Sequence, residues 1–167
     1  MRVADFTSAS QVLSAAPAGL ELPTPYTIAL WMRLDSAIVA TGFGCAVCRP
    51  FGAQIQDAYA VYVGGDGGEV IFAVTSSNEL EGPVIVVGAW THVTVTQDGN
   101  TSSLYVDGAL AGSLQAGASP ADAHDVLIGQ DIDYQGPAGA FPGALADVRM
   151  YGRLLRDEEI SALAAAP

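Results

Sequence analysis

The 167-residue chain contains no lysine, only two cysteines and two histidines, and few charged residues of any kind. Its six basic residues are all arginine and face eighteen acidic ones, which gives a formal net charge of -12. Nucleic-acid affinity comes largely from neutralising phosphates with basic side chains, so this charge argues against a nucleic-acid partner. Charged residues make up only 14% of the chain and hydrophobic ones 50%, a composition that excludes a disordered tail or linker.

Long hydrophobic runs are lacking as well. No apolar run approaches the roughly 20 residues that a membrane-spanning helix needs, so membrane insertion is not expected. The first six residues lack the apolar core and the cleavage site of a secretory leader. We therefore expect a cytoplasmic product, a virion-associated protein or an excised domain of an exported protein. The length fits one domain that spans residues 1–167.

The two cysteines, Cys45 and Cys48, have the Cys-x-x-Cys spacing of redox and zinc motifs. A redox motif places its first cysteine at a helix N-terminus, whereas this stretch is flanked by glycine and reads as a strand. A structural zinc site needs four ligands, and the two histidines, His92 and His124, stand at no recognisable spacing. The favoured interpretation is two small apolar core residues in a strand, with no metal.

Apolar residues alternate with period two along much of the chain, which predicts half-buried β-strands. The pattern is present in residues 27–34, 59–63 and 69–74, and the glycine-rich run 64–68 predicts a hairpin between the last two. Two Asp-Gly pairs divide residues 90–114 into a three-stranded β-meander. Further along, the sequence predicts a strand at 126–128, an irregular loop at 129–142 and a strand at 144–151.

Only the end of the chain departs from this strand pattern. Asp157, Glu158 and Glu159 precede apolar residues at helical spacing, and three carboxylates in a first turn suit the positive end of a helix dipole. Short antiparallel strands with one closing helix predict an all-β fold: a two-sheet antiparallel β-sandwich, or jelly roll, with a short C-terminal helix.

Four segments carry a family resemblance: Trp90-Thr91-His92-Val93-Thr94-Val95-Thr96, Leu104-Tyr105-Val106-Asp107-Gly108, Leu127-Ile128-Gly129 and the stretch from Phe141 to Tyr151. They resemble the laminin-G-like, concanavalin-A-like jelly-roll domains, and the likeness extends over nearly the whole chain. It implies the same sandwich fold. It implies only a class of function, since these domains bind glycans, lipids, proteins or calcium, or hold assemblies together.

The run from Leu127 to Asp133 is similar to the strand and calcium loop of the pentraxin branch. There, an acidic residue, a backbone carbonyl and a second acidic residue bind the ion, while calcium prefers six to eight oxygens. The family's Asp-Asn pair, from the loop before the glycine-rich hairpin, has no clear counterpart here, and Asp57 or Gln54 would substitute for it. The family's later glutamine is missing as well, so the resemblance implies an incomplete calcium site. Its ligands would be Asp131, the carbonyl of Ile132, Asp133 and Asp57. In the alternative, the two loop aspartates cap a turn and face water.

Aromatic and basic side chains fall opposite the apolar faces of their own strands. Aromatic rings stack on sugars, and arginine donates hydrogen bonds to hydroxyls, so such a set suits a glycan or other polar ligand. The predicted ligand-binding residues are Trp31, Arg33, Tyr105, Arg149 and Tyr151. Two alternatives remain open: loops or the helix cover these side chains, or the face is a subunit interface.

Catalysis is not expected, because the chain has no Glu-x-Asp-x-Glu run and no Gly-x-Ser-x-Gly motif. Two functions remain. The first is a non-catalytic recognition module for carbohydrate or a similar polar surface ligand, assisted by calcium. The second is a structural module that mediates self-association or attachment to a larger assembly such as a virion tail or a surface polymer. The acidic loop and outward aromatics favour the first, and the incomplete calcium site favours the second.

Overall fold

A computed structural model describes residues 3–6, 12–16, 22–38, 42–52, 56–64, 67–75, 78–118, 122–133 and 135–165. In chain order the elements are β1 (Val3–Phe6), β2 (Leu13–Ala15), β3 (Tyr26–Leu34), β4 (Gly44–Phe51), β5 (Gln56–Gly64), β6 (Glu69–Thr75), β7 (Asn78–Val84), β8 (Thr91–Gln97), β9 (Thr101–Val106), β10 (Ala109–Gln115), β11 (Val126–Ile128), β12 (Asp131–Asp133), β13 (Gly136–Ala138), β14 (Gly143–Tyr151) and α1 (Asp157–Ala164).

Twelve of these strands form two six-stranded antiparallel sheets. The first sheet has the order β1-β14-β3-β8-β9-β10, and the second has the order β2-β11-β4-β5-β6-β7. The two sheets pack face to face, and β12 with β13 forms a separate two-stranded ribbon. The predicted all-β sandwich with a short C-terminal helix is confirmed.

The core lies between the inner faces of the two sheets. In β3, the four residues predicted to share a face are at most 1% exposed, and they are Ile28, Leu30, Met32 and Leu34. Val61 and Phe72 of the second sheet lie in the same cluster and are fully buried. Burying one such side chain contributes about 1.5 to 3 kcal/mol, so the alternating pattern fixes which face of each strand points inward.

The predicted meander at β8, β9 and β10 is confirmed, together with both of its Asp-Gly turns. The Asp98 carboxylate accepts hydrogen bonds from the backbone N–H groups of Asn100 and Thr101, each at 2.7 Å. In the second turn, Asp107 and Gly108 both have positive φ, at 49° and 79°. Aspartate and glycine tolerate this left-handed backbone, which tight hairpins require.

The predicted irregular loop at 129–142 is wrong in one respect, because it contains the hairpin of β12 and β13. Each strand is only three residues long and β13 includes a proline, so no alternation marks them. The N–H of Gly129 donates to the Ala46 carbonyl at 3.0 Å, and the N–H of Cys45 donates to the Gly139 carbonyl at 2.7 Å. Both ends of the hairpin are therefore tied to β4.

The predicted C-terminal helix is confirmed as α1, which packs on the outer face of the first sheet. Ile160 is fully buried there. Just before the helix, the Thr27 hydroxyl donates to the Arg153 carbonyl at 2.8 Å and accepts from the Leu155 N–H at 3.1 Å. No helix in the described part of the chain is long and apolar enough to cross a membrane.

Candidate cation and ligand site

Both cysteines lie buried in β4, as predicted, but they point away from the core between the sheets. Residues three apart on a regular strand face opposite sides, whereas a register shift between Cys45 and Val47 adds one residue to β4. As a result, both cysteines lie on the outer face of the second sheet. They pack there with Ala60 and Ala73, and we call these four residues the small-residue floor.

The hairpin tied across β4 brings a carboxylate onto Cys48. The Cys48 thiol donates to Asp131 Oδ1 at 3.2 Å and approaches the Gln130 carbonyl at 3.6 Å. The same carboxylate oxygen accepts from the Ile132 N–H at 2.7 Å, and Asp131 is only 9% exposed. Burial raises the pKa of the Cys48 thiol well above its ordinary value, and it raises the pKa of Asp131 as well.

Asp57, near the start of β5, completes a three-residue cluster. The ligand atoms of Cys48, Asp57 and Asp131 all lie within 4.8 Å of one another. Asp57 Oδ1 is buried and has no hydrogen-bond partner among the described residues. Burial, and then the nearby Asp131 carboxylate, raise the pKa of Asp57 to about 7. Two confined carboxylates repel each other unless a proton or a cation lies between them.

Of the predicted calcium ligands, the structure brings together Asp57 and Asp131. Asp133 does not join them: its Oδ1 accepts from the Gln135 N–H at 2.6 Å, as in the alternative where it caps a turn. The Ile132 side chain is 37% exposed. Gln54 lies outside the described residues. The sequence missed Cys48 as a member of the cluster, because spacing along the chain cannot show the register shift that turns it outward.

Two aromatic residues beside the small-residue floor were also missed. Tyr62 packs against the floor, and its hydroxyl donates to Glu79 Oε1 at 2.7 Å. Phe43 is 39% exposed and contacts Tyr62 edge to face, with ring centroids 5.9 Å apart. Burial chiefly, then Glu79 and Asp57, raise the pKa of Tyr62, so this ring lies within electrostatic reach of the cluster. Period-two alternation does mark Tyr62 as outward-facing, but not what lies next to it.

Two of the predicted ligand-binding residues, Trp31 and Tyr105, lie on the outer face of the first sheet, and Tyr105 contacts α1. Trp31 is 6% exposed and packs against His92, with ring centroids 5.1 Å apart. Its Nε1 is buried without a partner among the described residues. The hydroxyl of the half-buried Tyr105 donates to Asp157 of the helix at 3.3 Å. Both rings are thus engaged in packing or helix contacts.

The other three predicted ligand-binding residues lie at the rim of the same face. Arg33 pairs with Asp35 at 2.8 Å. Arg149 pairs with Asp147 at 2.6 Å. The half-buried Tyr151 ring lies under the guanidinium of Arg153, whose Cζ is 5.9 Å from the ring centroid. These groups retain access to solvent, although the guanidinium groups of Arg33 and Arg149 already have carboxylate partners.

The family model for the concanavalin A-like lectin/glucanases superfamily matches residues 6–161. The chain belongs to this superfamily. A search of curated proteins finds no relative. Among solved structures, the CBM40 module of Ruminococcus gnavus IT-sialidase bound to α2,6-sialyllactose is similar at 17% identity and TM-score 0.74, over 98% of both chains. A heptameric SAP-like pentraxin from Limulus polyphemus is similar at 17% identity and TM-score 0.70, over 97% of this chain and 80% of that one.

A sialidase from Trypanosoma rangeli also matches, at 19% identity and TM-score 0.66. The match covers 84% of this chain but only 22% of the sialidase. Such low identities establish a shared lectin-like fold and nothing about activity, because one fold hosts many functions.

Proposed function

We propose that this protein is a non-catalytic recognition module for carbohydrate or a similar polar surface ligand, assisted by a divalent cation held at Asp57 and Asp131. The observation that carries the proposal is the buried Asp57 carboxylate, whose Oδ1 lacks a partner among the described residues and faces a second carboxylate. A cation there would give that oxygen a partner and remove the repulsion between the two acids. The lectin-like fold, bound to sialyllactose in one solved structure of similar shape, supports the class of ligand.

The surroundings of the cluster suit this role. A bound cation offers coordination positions to ligand oxygens, and the exposed Phe43 beside Tyr62 offers aromatic surface for a sugar ring. Calcium is the ion that the pentraxin resemblance implies, and Asp57 and Asp131 are ligands of the kind it prefers. The ion would fix ligand oxygens in place, while the side chains supply orientation and contact area.

A glycan array tests the proposal. The protein is applied with calcium, with zinc and with chelator, and the Asp57→Asn variant is applied in parallel. We expect glycan binding that chelator and the variant both abolish. The matched control is Asp133→Asn, since Asp133 lies outside the cluster and its loss should leave binding intact. Binding that is equal in all arms would exclude cation assistance, and no binding in any arm would exclude carbohydrate as the ligand.

The rim of the first sheet is a second candidate ligand surface, because Arg149 and Tyr151 retain access to solvent. In the same array, Arg149→Ala and Tyr151→Ala distinguish the two surfaces. If the ligand lies at the cation cluster, both variants bind like wild type; if either loses binding, the rim takes part.

Assembly remains a second candidate function, favoured by one observation. The end of β7 and the connection to β8 expose three valines: Val84 at 53%, Val86 at 67% and Val87 at 47%. Contiguous exposed apolar surface is typical of contact sites between proteins. Sedimentation analysis of wild type and Val86→Asp tests self-association. A monomer in both cases would exclude it for this surface.

A further inference from the structure

The donor set of the cluster does not fit calcium. Calcium takes six to eight hard oxygen ligands, whereas the acidic and cysteine side chains that converge here are two carboxylates and one sulfur, with the Gln130 carbonyl oxygen 3.6 Å from that sulfur. Cys48 is fully buried against Asp131, so its sulfur lies where a ligand oxygen would be needed. The second loop carboxylate, Asp133, is turned to a backbone N–H instead.

The same donor set fits an ion that accepts sulfur. Zinc binds cysteine sulfur at about 2.3 Å and carboxylate oxygen at about 2.0 to 2.2 Å, with four ligands in a tetrahedron. Those bond lengths place a sulfur and an oxygen about 3.6 Å apart. The observed separation of Cys48 Sγ and Asp131 Oδ1 is 3.2 Å, and all three ligand atoms lie within 4.8 Å. Small side-chain rotations would bring the three atoms onto one ion.

The surroundings of Asp57 also favour a cation at the cluster. Asp57 Oδ1 is buried without a hydrogen-bond partner in the described chain, and polar atoms in that situation are rare in proteins. The causes that shift the Asp57 pKa are burial and a neighbouring acid, with no basic side chain among them. A metal ion would satisfy the oxygen. Its two positive charges would offset most of the three negative charges of a thiolate and two carboxylates.

From this geometry we infer that the cluster selects zinc, or another divalent ion with affinity for sulfur, over calcium, and that Cys48 binds it as a thiolate. The inference rests on the proposed cation site but not on glycan recognition. The sequence argues against metal at the cysteines because a second pair of ligands is missing; the fold supplies that pair as Asp57 and Asp131. When the ion binds, the Cys48 S–H bond breaks, sulfur keeps the electron pair for the metal, and the proton leaves to solvent. Three protein ligands leave the fourth tetrahedral position open to water or to a ligand oxygen.

The first test compares ions on the chelator-stripped protein. A ligand at a hundredfold excess over its dissociation constant should raise the melting temperature of a domain of this size by about 5 to 10 °C. We expect that shift with zinc, measured alongside calorimetric titration, and no shift with millimolar calcium. With cobalt(II) in place of zinc, we expect a thiolate-to-cobalt charge-transfer band in the near ultraviolet. A shift with calcium and none with zinc would overturn the inference and leave the proposed calcium-assisted function standing.

Variants identify the ligand atom. Cys48→Ser should lose the charge-transfer band, and the matched variant Cys45→Ser should keep it, because Cys45 is buried in the same strand outside the cluster. Asp57→Asn, which keeps the side-chain shape, should lose the zinc-induced melting shift. If Cys48→Ser does not fold, the Asp57→Asn variant still tests whether zinc binds at the cluster. A cobalt band that persists in Cys48→Ser, or disappears only in Cys45→Ser, would overturn the assignment.

The two proposals fail separately. Zinc binding with the expected band, combined with glycan binding that ignores zinc and chelator, supports the metal site and excludes cation-assisted recognition. Cation-dependent glycan binding that calcium alone restores supports recognition and overturns the preference for zinc.

Discussion

The outer faces of the two sheets are built in opposite ways. On the first sheet, large side chains such as Trp31 and His92 stand outward and are 6% and 2% exposed, and the two rings pack against each other with centroids 5.1 Å apart. On the second sheet, the outward side chains of the floor are cysteine and alanine, and the β12–β13 hairpin lies alongside. Both faces are covered: the floor residues are 0 to 5% exposed, with Tyr62 and Leu127 packed against them. The second face therefore differs from the first in what packs over it, which includes the Asp131 carboxylate against Cys48.

The two faces also treat charge differently. On the side of the first sheet and its helix, acidic groups have arginine partners: Asp35 with Arg33, Asp147 with Arg149 and Glu159 with Arg153. On the second sheet, Asp57 and Asp131 lie near each other, and no ion pair to either occurs among the described residues. Arginine thus offsets acidic charge on the first face, whereas the proposed cation would do so on the second.

The largest expected effect tests the packing role of the first face. Trp31→Ala removes a buried ring and should lower the free energy of unfolding by about 3 to 5 kcal/mol, as large-to-small changes in packed sites do. Urea denaturation measures it. The matched change on the second face, Tyr62→Ala, should cost less than about 2 kcal/mol, because that ring is only half-buried. Equal losses of unfolding free energy in the two variants would contradict the distinction between the faces. If Trp31→Ala instead loses glycan binding while its stability is unchanged, Trp31 is a ligand-binding residue as predicted from the sequence.

The sequence predicts what local patterns determine. Alternation identifies the inward set of β3, Asp-Gly pairs mark the turns of the meander, and acidic residues mark the start of α1. It also predicts correctly that Trp31 points away from the core. It cannot show that this ring packs against His92 of a neighbouring strand, or that one extra residue in β4 turns Cys48 outward. Those features depend on contacts between distant segments, which leave no periodic signal in the sequence.

The second prediction replaces an aspartate with asparagine on each face and expects the free energy of unfolding to change in opposite directions. In chelated protein, Asp57→Asn removes one of two repelling carboxylates and should raise the free energy of unfolding by about 1 kcal/mol. Asp147→Asn removes the partner of Arg149 and should lower it by about 0.2 to 1 kcal/mol, the usual range for an exposed ion pair. Asparagine tolerates the positive φ of 51° at position 147, so the backbone is not a confounding cause. Thermal melts in chelator measure both, and a loss in Asp57→Asn would show that the two acids do not repel.

The smallest effect concerns Glu159, which holds the start of α1 over the first face. Its carboxylate accepts hydrogen bonds from Arg153 Nη2 at 2.7 Å and from the Arg156 N–H at 2.9 Å. These contacts, Arg153 first, lower the pKa of Glu159 from 4.5 to about 2. Because the folded pKa lies below the unfolded one, the stabilisation is complete above pH 4.5 and is lost as the pH falls toward 2.

Glu159→Gln should therefore lower the melting temperature slightly at neutral pH, and the difference from wild type should shrink steadily as the pH falls below 4.5. The effect is small because solvent and salt screen an exposed pair. Melting curves at a series of pH values measure it, with Glu158→Gln in the same turn as the control that should change little. A difference that stays constant down to low pH would mean that the shape of the Glu159 side chain, rather than its charge, holds the helix against the first sheet.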